Sequence, residues 1–574
     1  KKIAVEGIES VRNWVIDKVA VRFSSQSAKT ERMLPVEIEI DNDCSETDTV
    51  LLIQSQDTPG FLFAFSNALS LLTINIDRST IRTASDLVQN VFYVRDLKGR
   101  KIIDQEKLDE LRFICALIKQ FAYLLPNAPN PGQAISQFRD FASKSLLTPQ
   151  RSDILPSMHS EGTLQMLAEV MGVSRFLWED FLRMQYENLI PLIQDPTEIS
   201  GDFNKEALSS LLHDQMATDD SMETKVKWLN QIKDREMFRI DLRHITRTSN
   251  DVQFARELSD LADVIVAASA ELSHAQLAPR FGQPLVEGKP CPWAIFAAGK
   301  FGGREMGFAS DLELLFVYEG AGETSGRRAV SNSTYFENFV RTFLKNLHVR
   351  KEGIFEVDLR LRPFGNKGPL ASSLNAMNNY YIQDGQAESF ERMAMIKLRP
   401  VIGDEQLCKN VMQVRDDFVY SGSPFDIKSF LNLRNRMISE LTEASKINVK
   451  YSAGTLVDIE FYLQVLQIKH GATNPVIRNT NSMEALKQLQ EAGVIDAKKA
   501  ECLRRAYSCF RRTIDALRAV RGNAKDLVLP ESNTPDYNYL ARRLNFVSAE
   551  AFSQEIEWCR NQCRDLLEKL TNDL

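Results

Sequence analysis

Two acidic segments constrain this chain more strongly than any other part of its sequence. Residues 297–318 read AAGKFGGREMGFASDLELLFVY, and residues 355–370 read FEVDLRLRPFGNKGPL. Successive side chains of a β-strand point to opposite faces of the sheet. A strand through the first segment therefore places Asp311 and Glu313 on one face and large apolar side chains on the other. Charged side chains on a buried strand need a specific reason to be there, so this segment predicts a functional site.

The second segment adds a third carboxylate and two cations. The same alternation predicts a strand with Asp358, Arg360 and Arg362 on one face. Three carboxylates offer the hard oxygen ligands that suit Mg²⁺ or Mn²⁺, and two arginines suit the oxygens of a polyphosphate. Together with Asp311 and Glu313, Asp358 predicts a nucleotidyl-transfer site in which the three acids are catalytic and hold the metal.

Small and basic residues around the acids complete the predicted phosphate site. The glycine pair Gly302-Gly303 allows backbone amides to approach a ligand closely. A strand near residue 399 would place Lys397 and Arg399 on one face, where they would offset phosphate charge; a solvated surface strand is the alternative. The complete predicted phosphate-binding set is Lys300, Gly302, Gly303, Ser310, Arg360, Arg362, Lys397 and Arg399.

Three stretches of the chain resemble one known family. They read GKFGGREMGFASDLELLF, DLRLRPFGNKGPL and FERMAMIKLRPVIGD, and they are similar to the DNA polymerase β-like nucleotidyltransferase domain of glutamine synthetase adenylyltransferase. The resemblance implies transfer of AMP from ATP to a tyrosine of glutamine synthetase, and its removal by inorganic phosphate with release of ADP. The family usually reads D-x-D where this chain has Asp311 and Glu313, so Glu313 is a departure.

A fourth stretch, KYSAGTLVDIEFYLQ, resembles a helix of the same family. It supplies Lys450, Asp458 and Glu460, which with Glu391 form a predicted supporting set behind the acids. Residues two apart on a helix do not share a face, so we expect one of Asp458 and Glu460 to face the cleft and the other to turn away. The chain carries one set of these motifs, and we therefore expect one of the family's two catalytic halves. F-G-x-x-G-P-L and E-R-x-A-M-x-K resemble the AMP-removing half more.

Residues 33–105 have a different character. Their apolar patterning predicts a helix at 61–72 and strands at 36–40, 49–54, 74–83 and 88–94. This order is typical of a small ferredoxin-like α/β sandwich. The segment also resembles an ACT domain, in particular those of PII uridylyltransferase, which sense glutamine. The resemblance implies an effector site at Asp57, Thr58 and Gly60; a degenerate domain that only packs against its neighbour is the alternative.

The predicted fold class is α+β with several domains. We expect an N-terminal helix and loop, an ACT-like domain, a helical domain, a polymerase β-like nucleotidyltransferase domain and a C-terminal helical bundle, at residues 1–32, 33–105, 106–285, 286–425 and 426–574. ACT domains commonly act in pairs and the chain shows one, so we expect a homodimer through this domain or another partner, with PII as a further candidate.

Composition excludes several other classes. The net charge of −7 argues against general nucleic-acid binding, and the absence of an apolar run of about 18 residues argues against a membrane span. The eight cysteines are dispersed without a C-x-x-C motif. Cys559 and Cys563 lie one helical turn apart without a nearby histidine, so we expect reduced thiols in the cytoplasm rather than a zinc site.

Two other functions fit parts of the sequence. In the first, the chain is a catalytically silent, ACT-regulated protein of nitrogen metabolism, which the unusual Glu313 favours. In the second, it is a nucleotidyltransferase for another protein such as PII, which the ACT-like segment suggests. The intact acidic triad argues against the first function, and the resemblance around the acidic strands argues against the second.

Overall fold

The computed structural model describes most of the chain beyond residue 200 and a smaller part before it. The described residues are 37–56, 73–84, 87–105, 201, 203–218, 220–245, 247, 249–348, 355–382, 385–521 and 526–567, with single positions between 61 and 137. They form two compact units. One comprises Lys1–Gly201 with Ile245–Thr248 and Ala519–Gly522, and the other comprises Asp202–His244, Ser249–Arg518 and Asn523–Leu574.

The first unit contains a four-stranded antiparallel sheet. Its strands are β1 (Glu37–Asp41), β2 (Thr49–Gln56), β3 (Ile74–Ala84) and β4 (Leu87–Asp96), in the spatial order β1-β2-β4-β3. All four strands were predicted, and the structure confirms them within a few residues.

Helical positions cover one face of this sheet. Phe61, Phe65 and Leu69 are helical and buried, and their spacing of four residues places them on one helix face. The rings of Phe65 and Phe92 lie 4.5 Å apart between centroids, so this apolar face packs on β4. The predicted N-terminal helix and the predicted effector residues Asp57, Thr58 and Gly60 lie outside the described residues.

Three helices open the second unit: α1 (Lys205–Met216), α2 (Met222–Ile245) and α3 (Asp251–Phe281). Asn204 and Asn250 cap α1 and α3 by accepting hydrogen bonds from amides of the first turn, which is the usual role of asparagine at that position. These helices lie within residues 106–285, for which a helical domain was predicted.

Two sheets of short strands follow. β5 (Leu285–Val286) and β6 (Lys289–Pro290) form a small sheet of their own. The larger sheet contains β7 (Trp293–Ala297), β8 (Leu312–Tyr318), β9 (Val357–Asp358), β10 (Ser372–Ser373) and β11 (Arg399–Gly403). β8 is the central strand. It pairs with β7 in the antiparallel sense on one edge and with β9 and β10 in the parallel sense on the other.

Two helices connect these strands: the single turn α4 (Gly299–Gly302) between β7 and β8, and α5 (Asn332–Asn346) after β8. α5 covers one face of β8 with aromatic side chains. The Phe316 ring lies 6.0 Å from Phe339 and 5.2 Å from Phe343. β8 is buried along nearly its whole length, and Glu313 is the one charged residue in this strand.

Apart from β11, the described part of the chain after β10 is mainly helical. It comprises α6 (Leu374–Tyr381), α7 (Glu391–Ile396), α8 (Glu405–Val419), α9 (Ile427–Leu441), α10 (Leu456–Gly471), α11 (Ser482–Glu491), α12 (Ala497–Arg521), α13 (Pro535–Arg543) and α14 (Ala549–Cys563). Its apolar side chains form one core with the second face of the sheet, including Leu315 and Val317 of β8. Within the described residues, no helix combines the length and apolar character needed to cross a membrane.

The predicted strand through Asp358, Arg360 and Arg362 is wrong beyond its start. Within residues 355–370, the part that pairs with β8 is β9, which is two residues long. A 3₁₀ turn at Gly365–Lys367 follows. Pro363 lacks a backbone N–H and Phe364 has φ 66, so this stretch does not continue a ladder. Arg360 and Arg362 therefore lie in a loop.

Candidate functional site

The register of β8 and β9 brings two acids together. Glu313 pairs with Asp358, and Leu312 pairs with Val357. Residues opposite each other on neighbouring strands project from the same face of a sheet, so the Glu313 and Asp358 carboxylates lie side by side. Asp311 stands just before β8, two positions from Glu313. The predicted acidic triad is therefore brought to one end of the central strand.

The electrostatics of the triad show mutual repulsion. Burial raises the pKa of Glu313 first, and the negative charges of Asp311 and Asp358 raise it further. Burial also acts to raise the pKa of Asp358, but hydrogen bonds from Arg360 outweigh it and hold that pKa below its usual range. The fold therefore disfavours the ionised form of Glu313 and favours the ionised form of Asp358.

A glycine that the sequence analysis did not single out makes room for Glu313. Gly299 has φ +53, and a Cβ on it would come within 2.2 Å of the Glu313 Oε2 atom. The amide of Ala298 also donates to the Glu313 carbonyl at 2.9 Å. The carboxylate therefore rests against the backbone of the β7–α4 turn, where any side chain would displace it.

The glycine pair has a different use from the predicted one. The Gly302 and Gly303 amides donate to the Ala298 and Gly299 carbonyls at 2.7 and 3.0 Å. A Cβ on Gly302 would meet the Lys397 carbonyl at 1.8 Å. The pair allows two stretches of backbone to pack closely, and its amides are already used.

The two arginines of the second segment have separate roles. Arg360 pairs with Asp358 through its Nε, 2.8 Å from Oδ2, and its terminal nitrogen, while 74% of its side chain is exposed. Arg362 is buried, and its guanidinium donates to the Leu359 and Gly368 carbonyls. Arg362 thus holds the loop together, and its charge also helps to lower the Asp358 pKa.

Lys397 and Arg399 do not share a strand face. Lys397 follows α7 and forms a buried ion pair with Glu305, with a second bond to the Ser482 hydroxyl at 3.0 Å. Arg399 begins β11 and pairs with Asp263 at 2.8 Å. Both cations already have carboxylate partners within the fold, so they stabilise the framework around the site.

Two further predicted residues also make structural contacts. Ser310 is buried, and its hydroxyl accepts a hydrogen bond from the Gly307 amide at 2.9 Å. Glu391 accepts a hydrogen bond from the Tyr380 hydroxyl at 2.9 Å, and burial raises the Glu391 pKa. Ser310 shapes the turn before Asp311, while Glu391, the first residue of α7, also accepts a hydrogen bond from the Glu388 amide at 3.0 Å.

Asp458 and Glu460 point to different surroundings, as predicted for residues two apart on α10. Asp458 forms a buried pair with Arg434 at 2.6 Å and accepts the Gly454 amide at 2.6 Å. Glu460 instead acts electrostatically on Lys300 and Arg511. Glu460 is therefore the member that faces the site.

Four cations gather beside the acids; we call them the basic group. Its members are Lys300, Lys450, Arg511 and Arg518. Burial lowers the Lys300 pKa well below its ordinary value, and the charges of the other three members lower it further. Lys450 acts in turn on Glu313, and Arg518 on Asp311. The basic group and the triad are thus within electrostatic reach of each other.

Sequence reasoning missed Arg511 and Arg518, although a signal was available. The two lie seven residues apart on α12, a spacing that places them on one helix face. Arg511 donates to the Glu305 carbonyl at 2.6 Å and Arg518 to the Phe308 carbonyl at 2.7 Å. These bonds fix α12 against the loop that leads into β8. The resulting site combines hard oxygen ligands for a cation with a concentration of positive charge for an anion.

Matches to family models agree with this combination. Residues 164–414 match the family described as Glutamate-ammonia ligase adenylyltransferase, a class of transferase. Residues 432–571 match GlnD PII-uridylyltransferase. The first match contains the triad and the second contains Lys450, Arg511 and Arg518. The uridylyltransferase match lies in the C-terminal helices, whereas the sequence analysis based that resemblance on residues 33–105.

Individual relatives are bifunctional glutamine synthetase adenylyltransferase/adenylyl-removing enzymes. The chain is 30% identical over 428 residues to the one from Nitrosococcus oceani, covering 72% of this chain and 43% of the relative. It is 29% identical over 375 residues to that from Pseudomonas putida, covering 64% and 37%. The predicted relationship to this family is thereby confirmed over the matched residues. The chain spans less than half the length of these relatives.

Lys397 provides a test of the distinction between framework and site. Lys397→Met should lower the free energy of unfolding by about 3–5 kcal/mol, because Glu305 would remain buried without its cation. Chemical denaturation measures this. The matched control is Lys409→Met, which breaks the exposed Lys409–Glu405 pair and should change stability little. Equal effects of the two substitutions would contradict the structural role of Lys397.

Glu313 should show the opposite behaviour. Its raised pKa means that folding disfavours its charged form, so stability is lost as pH rises from the unfolded pKa, about 4.3, through the higher folded pKa. Without divalent cations, Glu313→Gln should therefore stabilise the protein by about 0.5–2 kcal/mol at pH 7, and this gain should vanish at lower pH. Urea unfolding across pH measures it; a destabilised variant at pH 7 would refute the repulsion.

Proposed function

We propose that this chain is a nucleotidyltransferase that acts on glutamine synthetase, adding AMP or removing it by phosphorolysis, with removal favoured. The observation that carries the proposal is the pairing of Glu313 with Asp358 beside the basic group. The adenylyltransferase match over residues 164–414 and the adenylyl-removing activity in the relatives' names support it.

The acids fit a divalent cation. The negative charges of Asp311 and Asp358 disfavour the ionised form of Glu313, and a divalent cation would relieve this repulsion. The turn at Gly299 leaves room for the Glu313 carboxylate. Asp311, Glu313 and Asp358 would hold one or two Mg²⁺ or Mn²⁺ ions, which supply neutralisation of phosphate charge and alignment of the reacting oxygens. Arg360 is mostly exposed and is free to turn from Asp358 to a phosphate when a cation takes its place.

The basic group would bind the phosphates that are not transferred. Lys300, Lys450, Arg511 and Arg518 repel one another, and a polyphosphate relieves that repulsion, since an anion beside Lys300 raises its lowered pKa. Charge stabilisation of this kind is a large term in phosphoryl chemistry. Glu460 would orient Lys300 within the group.

The two directions of the reaction differ in the attacking oxygen. When AMP is added, a tyrosine oxygen attacks the α-phosphorus of ATP, the bond to pyrophosphate breaks, and Asp358 accepts the tyrosine proton. In removal, an oxygen of inorganic phosphate attacks the phosphorus of the adenylyl-tyrosine, the tyrosine oxygen leaves with a proton, and ADP forms. The F-G-x-x-G-P-L and E-R-x-A-M-x-K motifs favour removal.

Residues 33–105 would regulate this activity in the cytoplasm. The antiparallel sheet β1-β2-β4-β3 with helical positions on one face is compatible with an ACT domain. We propose that it binds glutamine through Asp57, Thr58 and Gly60, and that pairing in a homodimer, or binding to PII, completes the pocket. The match of residues 432–571 to a PII uridylyltransferase supports a link to PII signalling.

Replacing one acid tests the enzyme proposal. Asp311→Asn should lower activity at least about 10²-fold, because an amide is a poor ligand for a hard cation and leaves phosphate repulsion uncompensated. The assays follow ADP release from AMP-labelled glutamine synthetase plus phosphate, and AMP transfer from ATP to the unlabelled enzyme. Glu313→Asp, which restores the usual D-x-D, should retain or raise activity. A wild-type chain inactive in both assays with Mg²⁺ and Mn²⁺ would favour the silent regulator.

Calorimetry with glutamine tests the regulatory part separately. The folded chain should bind glutamine, and Asp57→Ala should weaken binding by at least about tenfold, the cost of about one charge-assisted hydrogen bond. Asp311→Asn is the matched control and should bind normally. If glutamine does not bind up to millimolar concentration, the proposal that this segment senses glutamine is wrong. Tight binding by a strict monomer would contradict the proposal that a homodimer completes the pocket.

A further inference from the structure

Three ligand atoms meet between helices α12 and α14. Cys509 on α12, with Glu555 and Cys559 on α14, place their sulfur and carboxylate atoms within 4.8 Å of one another. The Cys559 sulfur lies 3.8 Å from the Glu555 Oε1 atom. In a tetrahedral zinc site with ordinary bond lengths, ligand atoms lie about 3.6–3.8 Å apart. The group therefore needs only a small contraction to surround a metal ion.

The carboxylate of this group is held in place. Arg505, one turn before Cys509 on α12, bonds both oxygens of Glu555, with Nε 2.7 Å from Oε1. The Arg505 guanidinium also stacks over the Trp558 ring at 4.1 Å. A cation that fixes a carboxylate ligand from behind is typical of the surroundings of metal sites.

The two thiols are shielded from solvent to different degrees: Cys559 is buried and Cys509 is partly buried. The thiolate is the form of cysteine that binds metals. Two thiolates, the Glu555 carboxylate, Arg505 and one divalent cation together carry no net charge, which a half-buried location requires.

We propose that Cys509, Glu555 and Cys559 form a site for a thiophilic divalent cation, Zn²⁺, that joins α12 to α14. Sulfur ligands select Zn²⁺ over the Mg²⁺ expected at the acidic triad. Binding forms two sulfur–metal bonds and one oxygen–metal bond, and it releases the two thiol protons to solvent. The fourth position is left for water. The proposal is independent of the proposed catalytic function.

The test uses the full chain, reduced and freed of metal with a chelator, and Co²⁺ and Zn²⁺ as probes. One equivalent of Co²⁺ should give a thiolate-to-metal charge-transfer band, and Zn²⁺ should abolish it by displacement. Glu555→Gln, which keeps the side-chain shape, should weaken Zn²⁺ binding at least about tenfold. Cys509→Ser and Cys559→Ser should each reduce the band, and Zn²⁺ should raise the melting temperature of wild type but not of the Cys509→Ser/Cys559→Ser double variant.

Two controls keep the result specific. Cys502→Ser on the same helix and Asp311→Asn in the triad should leave the band unchanged. The proposal is overturned if wild type shows no band, or if the band survives in the Cys509→Ser/Cys559→Ser double variant. Recovery of a Cys509–Cys559 disulfide by mass spectrometry, with no metal binding after its reduction, would also overturn it and would assign the pair to oxidation.

Discussion

The parallel pairing of β8 with β9 is the contact on which the candidate site depends. Two residues of β9 suffice to set Asp358 opposite Glu313, and without that register the third acid would lie in the loop that follows. The pairing is costly, since like charges are forced together on a strand that is otherwise buried. The fold offsets this cost with packing elsewhere, notably the aromatic side chains of α5 against β8. Such repulsion is typical of sites that bind a cation.

Charge pairing separates the framework from the site. Glu305 with Lys397, Asp458 with Arg434 and Asp263 with Arg399 are pairs in which each buried charge has a partner. These pairs account for three of the predicted residues that make structural contacts, Lys397, Arg399 and Asp458. The triad and the basic group also hold like charges near one another, beside the opposite charges of Arg360 and Asp515. A ligand with a metal ion and phosphates would satisfy both sets at once.

Local pattern was enough to predict the strands of the first unit, several helices and the position of the acids near β8. The four strands of the first unit, the helices before β5 and the acids at β8 follow from periodicity, which short-range sterics impose. The failures are long-range. Lys397 and Arg399 looked like free cations because Glu305 and Asp263 lie far away in sequence. Gly302 looked like a ligand-binding glycine because nothing local shows the Lys397 carbonyl packed against it.

Helix α12 contributes side chains to both the basic group and the packing against α14. Arg511 and Arg518 stand about 150° around the helix axis from Arg505 and Cys509, by the geometry of 3.6 residues per turn. One face therefore serves the basic group, and the other packs toward α14. Because a helix is stiff over this length, contacts on the α14 side fix the orientation of the arginines on the site side. The triad lies in the adenylyltransferase match and these arginines in the uridylyltransferase match, so neither matched region alone holds both the triad and the full basic group.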